Sequence, residues 1–101
     1  MSDGRFQGKT VVLTGAARGI GLATVRQALA EGAQVALVDL TVEALDHART
    51  ELGDLAVRAI FVACDVADPE QITSATALIM RDSGRIDILE TTNEAFQKLY
   101  D

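Results

Sequence analysis

The segment Thr14-Gly15-Ala16-Ala17-Arg18-Gly19-Ile20-Gly21 joins an apolar run to a helical pattern, and its three glycines are spaced G-x-x-x-G-x-G. The run ahead of it, Val11-Val12-Leu13, is short, rich in β-branched residues and bounded by Lys9-Thr10 and Gly15, as a strand buried on both faces of a parallel sheet would be. Beyond Gly21 the period changes. Val25, Ala28, Leu29 and Gly32 follow it at i+4, i+7, i+8 and i+11, which keeps one helix face small or apolar. Each glycine has a separate task in this reading. Gly15 permits the sharp turn off the strand, Gly19 lets backbone approach a ligand, and Gly21 lets the helix pack closely on the strand. The N–H groups of the helix's first turn and the positive end of its dipole then face a ligand, and a pyrophosphate suits both.

A second residue sharpens the reading. The stretch 34–39, Gln-Val-Ala-Leu-Val-Asp, is a second strand ending at Asp39, eighteen positions after Gly21. That is close to the ~20-residue offset at which an acidic side chain accepts hydrogen bonds from an adenosine ribose. A carboxylate there favours NAD, because it repels the 2′-phosphate of NADP and binds free hydroxyls. The alternative for Asp39 is an N-cap or a solvated strand end, and the glycine turn at the right distance favours the ribose role. Arg18 pulls the other way, since a basic side chain just ahead of Gly19 could meet a 2′-phosphate or be a surface charge.

Working outward, strand one spans 10–14 and helix one 19–31, with Gly32 as a left-handed cap. Gly8-Lys9-Thr10 resembles the end of a phosphate loop, but Gly4 is one residue too close and the triplet precedes the strand, so that reading fails. Thr41 is an N-cap for a second helix over 42–52, with Val42, Leu45, Ala48 and Leu52 inward and Gly53 at its end. His47 lies among polar neighbours on that helix and reads as solvated. Strand three spans 57–64 and ends in Asp65-Val66. Asp68-Pro69-Glu70-Gln71 starts a third helix, with Asp68 as N-cap, Pro69 at the first position and Gln71 completing a capping box. Ile72, Ala75 and Ile79 form its apolar stripe, Gly84 ends it, and 86–89 is strand four. The order β-α-β-α-β-α-β implies right-handed crossovers and a parallel sheet, the first half of a doubly wound, Rossmann-like α/β/α fold.

With 101 residues the chain makes one small domain, and 49% hydrophobic and 24% charged residues are ordinary for a soluble globular protein. A net charge of −6 argues against nucleic-acid or acidic-membrane partners, since little here could neutralise phosphates. No apolar run approaches the ~20 residues of a membrane span, and a cytoplasmic protein is expected. Cys64 is the only cysteine, which leaves no disulfide framework and no cysteine-based metal site. At the end of an apolar strand it reads as a small buried hydrophobe.

These residues resemble the classical short-chain dehydrogenases/reductases. The pieces that carry the resemblance are Thr14-Gly15-x-x-x-Gly19-Ile20-Gly21, Val38-Asp39, Cys64-Asp65-Val66 and Gly84-Arg85-Ile86-Asp87-Ile88-Leu89, together covering residues 8–89. The resemblance implies that Gly15, Arg18 and Ile20, beside Gly19 and Gly21, line a pyrophosphate. It likewise puts Asp39 and Leu40 against the adenosine ribose, and Asp65 and Val66 against the adenine. An aspartate accepting from the adenine amino group is sensible chemistry, because that group is a donor. The implied activity is hydride transfer between NAD and a small-molecule alcohol or carbonyl substrate, in an enzyme that forms a homo-oligomer.

The match then breaks. The family continues strand four into Asn-Asn-Ala-Gly, whereas Leu89 is followed here by Glu90-Thr91-Thr92-Asn93-Glu94-Ala95-Phe96. Thr91-x-x-Glu94 is a capping box, with Phe96, Leu99 and Tyr100 on one helical face, so a helix starts almost without a loop. The expectation is that a segment is absent near residue 90 and that the rest of the enzyme lies beyond Asp101. The family's Ser-Tyr-Lys system cannot be placed. Tyr100 is the only tyrosine, no lysine follows it at Tyr-x-x-x-Lys spacing, and it is assigned to packing, so no catalytic residue and no metal ligand is named. Without later strands, strand four is an exposed edge, and dimerisation or aggregation is expected. Two other functions remain open: a non-catalytic nucleotide-binding or interaction module, and a methyltransferase, which also holds a ribose by an acidic residue after strand two.

Overall fold

The computed structural model describes residues 7–15, 17 and 19–90. Four strands, β1 (Thr10–Thr14), β2 (Gln34–Asp39), β3 (Ala59–Ala63) and β4 (Ile88–Glu90), alternate with three helices, α1 (Gly19–Ala30), α2 (Val42–Leu52) and α3 (Pro69–Ser83). All paired strands are parallel, in the order β3-β2-β1-β4, with Thr10 opposite Gln34, Val35 opposite Ala59 and Val11 opposite Ile88.

Because successive strand residues point to opposite faces, the apolar strands feed two cores. Val11, Leu13, Val35 and Leu37 pack with Leu22, Val25 and Leu29 of α1 and with Leu45 and Ala48 of α2. Val12, Ala36, Val38 and Val62 pack on the opposite face with Ile72, Ala75 and Ile79 of α3. The chain moves from β1 through β2 to β3 with its helices on one face, then returns past both to β4 with α3 on the other. Right-handed crossovers require that arrangement. The result is the expected three-layer α/β/α sheet. Its order reverses between β1 and β4, and all strands point their C-terminal ends toward one edge, where ligands of such sheets bind.

Local capping sets the helix limits. Thr41 Oγ1 accepts from the Ala44 amide at 3.1 Å, and Asp68 Oδ1 accepts from the Glu70 amide at 3.0 Å. Gly84 closes α3 in the left-handed conformation. Five expectations need correction. Gln71 does not complete a capping box: the Asp68 amide donates to Asp65 O (2.9 Å), and Gln71 reaches Asp65 instead. Val42 is 58% exposed, because the buried stripe runs through Ala44, Leu45, Ala48 and Leu52, roughly a quarter-turn away around the helix. The span 57–64 is not all strand. Gly53–Arg58 is a 3-10 helix and Val57 is exposed, while the Arg58 guanidinium donates to Leu29 O (2.5 Å) in the last turn of α1 and to Ala33 O (3.2 Å) just before β2. Glu31 falls just outside α1.

Strand β4 likewise begins at Ile88, two residues later than the apolar pattern predicts. The preceding Asp87 is a clamp on β1: its amide donates to Thr10 O (2.9 Å), and its Oδ2 accepts from the Thr10 amide (2.8 Å). Arg85 donates to the other carboxylate oxygen, and this ion pair, with the Thr10 amide behind it, holds the Asp87 carboxyl below the usual carboxylate range. A carboxyl whose pKa is lowered by folding stabilises the fold above its unfolded pKa, and that contribution disappears as pH falls through the folded value. Asp87→Ala should therefore melt a few degrees below the parent chain at pH 7. In thermal melts from pH 7 down to pH 2 the gap should close on the acid side; a gap independent of pH would show that the carboxylate charge is irrelevant.

Candidate functional site

At the C-terminal edge of the sheet, the turn after β1 is held by its own backbone. Gly15, at φ +64°, donates its amide to Val38 O at 2.8 Å, pinning the start of the turn to the end of β2. Gly19 opens α1 at φ +62°. A Cβ built on either glycine meets no atom within 4 Å, so the backbone conformation demands glycine here and the space beyond both is open. Ile20 is exposed beside this space, and Gly21 is half-buried in the first turn of α1. Among the three helices α1 alone has no acidic residue in its first turn, whereas α2 carries Glu43 and α3 Glu70 there. No carboxylate of its own first turn therefore neutralises the positive end of α1. Arg18 lies outside the described residues.

Asp39 braces this turn. Its Oδ2 accepts from the Ala17 amide at 3.1 Å and its Oδ1 from the Leu40 amide at 2.7 Å, while its carbonyl oxygen accepts from Cys64 N at 2.8 Å. One residue therefore ties the glycine turn, the end of β2 and the end of β3 together. Ala17 is fully buried in the core beneath α1, so the turn is anchored from below as well. Sequence reasoning missed Ala17, and with Ala16 beside it in the same turn no signal in the sequence singles it out.

Past β3, Asp65 Oδ1 accepts from the Ala67 amide at 2.9 Å, and the Asp65 amide donates to Gln71 Oε1 at 2.8 Å. Gly15, Asp39, Leu40, Asp65 and Val66 line one cleft of about 340 Å³ together with Thr14, Val38 and Cys64. Five of the nine residues named from the sequence thus share a cavity, and Gly19, Ile20 and Gly21 stand at the helix start beside the turn. The volume is at the lower end of the ~300–1,000 Å³ typical of ligand sites. Cys64 is buried at 2% exposure, and burial, with Asp65 and Asp68 adding to it, pushes its thiol above the usual range. A thiol held protonated is a poor nucleophile, which agrees with its reading as a core residue.

His47 is exposed on α2, away from this cleft. Among the described residues no group of three or more His, Cys, Asp or Glu side chains converges as a metal site would, and no helix is long and apolar enough to cross a membrane. Tyr100 and the helix expected over residues 91–101 lie outside the described residues.

Known proteins match this arrangement. A family model described as short chain dehydrogenase matches residues 9–96. D-threitol dehydrogenase of Mycolicibacterium smegmatis is 41% identical over 88 residues, covering 86% of this chain and 34% of that protein. The crystal structure of NAD+-bound xylitol dehydrogenase is similar with a TM-score of 0.78 and 38% identity, over 84% of this chain and 33% of that one. L-sorbose reductase from Gluconobacter frateurii, complexed with NADPH and L-sorbose, gives a TM-score of 0.75 and 38% identity over 83% of this chain and 32% of its own. The chain spans about a third of the length of these relatives. Because the family match runs from the residue before β1 to beyond β4, taking in the glycine turn and both acidic strand ends, the chain belongs to the short chain dehydrogenases.

Proposed function

We propose that this chain binds NAD and supplies the cofactor-binding part of an oxidoreductase that passes hydride between the nicotinamide and a small-molecule alcohol or carbonyl substrate. The observation that carries the proposal is the Asp39 carboxylate, set in one cleft with Gly15 and Asp65 and followed by Leu40 and Thr41 in place of a cation. Open space beyond Gly15 and Gly19 and an α1 N-terminus without an acidic residue fit a pyrophosphate. The nicotinamide of a bound NAD supplies the hydride chemistry. The residues of this chain do the holding. First-turn amides of α1, with Arg18, Gly19, Ile20 and Gly21, take the pyrophosphate; Asp39 and Leu40 take the ribose; Asp65 accepts from the adenine amino group, with Val66 against the ring. The acid/base step of the reaction is placed on none of these 101 residues, whose part is to hold the nucleotide.

The same reading gives a cytoplasmic protein whose net charge of −6 opposes nucleic-acid and membrane partners. It also gives a homo-oligomer, as the resemblance to the family implies.

The test is a fluorescence titration with NADH and with NADPH. NADH should bind at least roughly tenfold more tightly, the carboxylate of Asp39 repelling the 2′-phosphate of the other. Equal affinities or a preference for NADPH would overturn the NAD assignment. Binding of neither would overturn the nucleotide site itself.

A further inference from the structure

The cleft wall that carries Asp65 is a short link between β3 and α3, and a single side chain from outside the cleft organises it. Gln71, in the first turn of α3, accepts from the Asp65 amide through Oε1 (2.8 Å) and donates through Nε2 to Asp68 Oδ2 (3.1 Å). Asp68 Oδ1 meanwhile accepts from the Glu70 amide (3.0 Å), and the Asp68 amide donates to Asp65 O (2.9 Å). The Asp65 carboxylate closes the ring by accepting from Ala67 N at 2.9 Å. The link is therefore knitted to the helix start by bonds made at both ends of the Gln71 amide, whose carboxamide offers an acceptor to one site and a donor to the other at once. Gln71 itself does not line the cleft.

We infer that Gln71 is a positioning residue for adenine recognition: it fixes the Asp65 backbone, and with it the direction of the Asp65 carboxylate, without touching the nucleotide. This rests on the cleft being the adenosine site. The glycine turn is held by a separate set of bonds, from Gly15 to Val38 and from Ala17 to Asp39, so loss of Gln71 leaves the pyrophosphate end of the site intact.

The experiment uses the full chain with two substitutions at this exposed helix position. Gln71→Met keeps length and helix propensity and removes both hydrogen bonds. Gln71→Glu keeps an acceptor for the Asp65 amide. AMP and inorganic pyrophosphate are each titrated by calorimetry, and hydrogen exchange is followed at the Asp65 amide. Gln71→Met should bind AMP roughly three- to tenfold more weakly, the loss expected for about one net hydrogen bond, with pyrophosphate affinity unchanged and faster exchange at Asp65. Gln71→Glu should bind AMP more tightly than Gln71→Met. AMP affinity in Gln71→Met equal to that of the parent, or parallel losses for AMP and pyrophosphate, would overturn the positioning role while the nucleotide site stands. A parent chain that binds pyrophosphate but not AMP would overturn both the adenosine site and the role of Gln71.

Discussion

Asp39→Ala should weaken NADH binding about a hundredfold while leaving NADPH binding little changed or relatively improved. An ionised carboxylate offers about four lone-pair sites. Two are used inside the protein, one on each oxygen, by the amides of Ala17 and Leu40. The remaining two point the role outward: they can accept from both ribose hydroxyls, and a hydrogen bond to a charged group contributes about 1.5–3 kcal/mol. Removing the carboxylate also leaves the Ala17 amide without its acceptor in a residue that is fully buried, so the glycine turn loosens and pyrophosphate contacts weaken for either cofactor, a loss that relief of the repulsion on the 2′-phosphate offsets for NADPH alone. A total of about 3 kcal/mol corresponds to somewhat over a hundredfold in Kd. Asp39→Asn, which keeps one oxygen but no charge, should fall between the two. The measurement is the NADH and NADPH titration of each variant. If Asp39→Ala retains NADH affinity within a factor of a few, the carboxylate is a turn brace only, and the ribose is held elsewhere.

The bracing bonds of Asp39 show where sequence reading reaches its limit in this protein. What was legible is local or periodic. Thr41, Asp68-Pro69 and Gly84 mark helix ends because each acts on amides or carbonyls within four residues. Leu45, Ala48, Ile72 and Ile79 reveal their faces through helical spacing. Asp39 and Asp65 were found because each ends an apolar strand, and the parallel sheet brings those ends to one edge. What was not legible depends on partners distant in sequence. Val57 belongs to a strand by its side chain, yet Arg58 bonds the end of α1 more than twenty residues earlier, and the segment is a 3-10 turn. Asp87 looks like a polar residue inside a strand, and its partners on β1 are 77 positions away. The sequence reading sets the carboxylate of Asp39 toward a ligand; that it faces Ala17, 22 positions before it, needed the turn to be folded back over β2.

The same asymmetry between near and far bears on stability, where the largest loss should come from α3. Ile79→Ala should destabilise the chain by about 2–5 kcal/mol, the range for truncating a buried isoleucine, and its neighbour Met80→Ala by well under half of that. Ile79 is fully buried and packs into the core with Val12, Ala36, Val38 and Val62, whereas Met80, one residue on, is 43% exposed. The opposite face of the sheet is covered by two helices that can shift together into a void, since α1 and α2 share one core. On the second face α3 is held at one end by the Asp68 cap and at the other by Gly84, which limits how far it can shift into a cavity at Ile79. For a domain of this size each kcal/mol is worth roughly 4–8 °C, so Ile79→Ala should lower the melting temperature by about 10–30 °C and Met80→Ala by only a few degrees. Because α3 also carries Gln71 against Asp65, partial unfolding of its first turn should weaken AMP binding before the whole sheet melts. Thermal melts of both variants, with and without saturating AMP, decide the matter. Equal losses in Ile79→Ala and Met80→Ala would mean that the second face of the sheet is not packed by α3 as the burial of Ile79 requires.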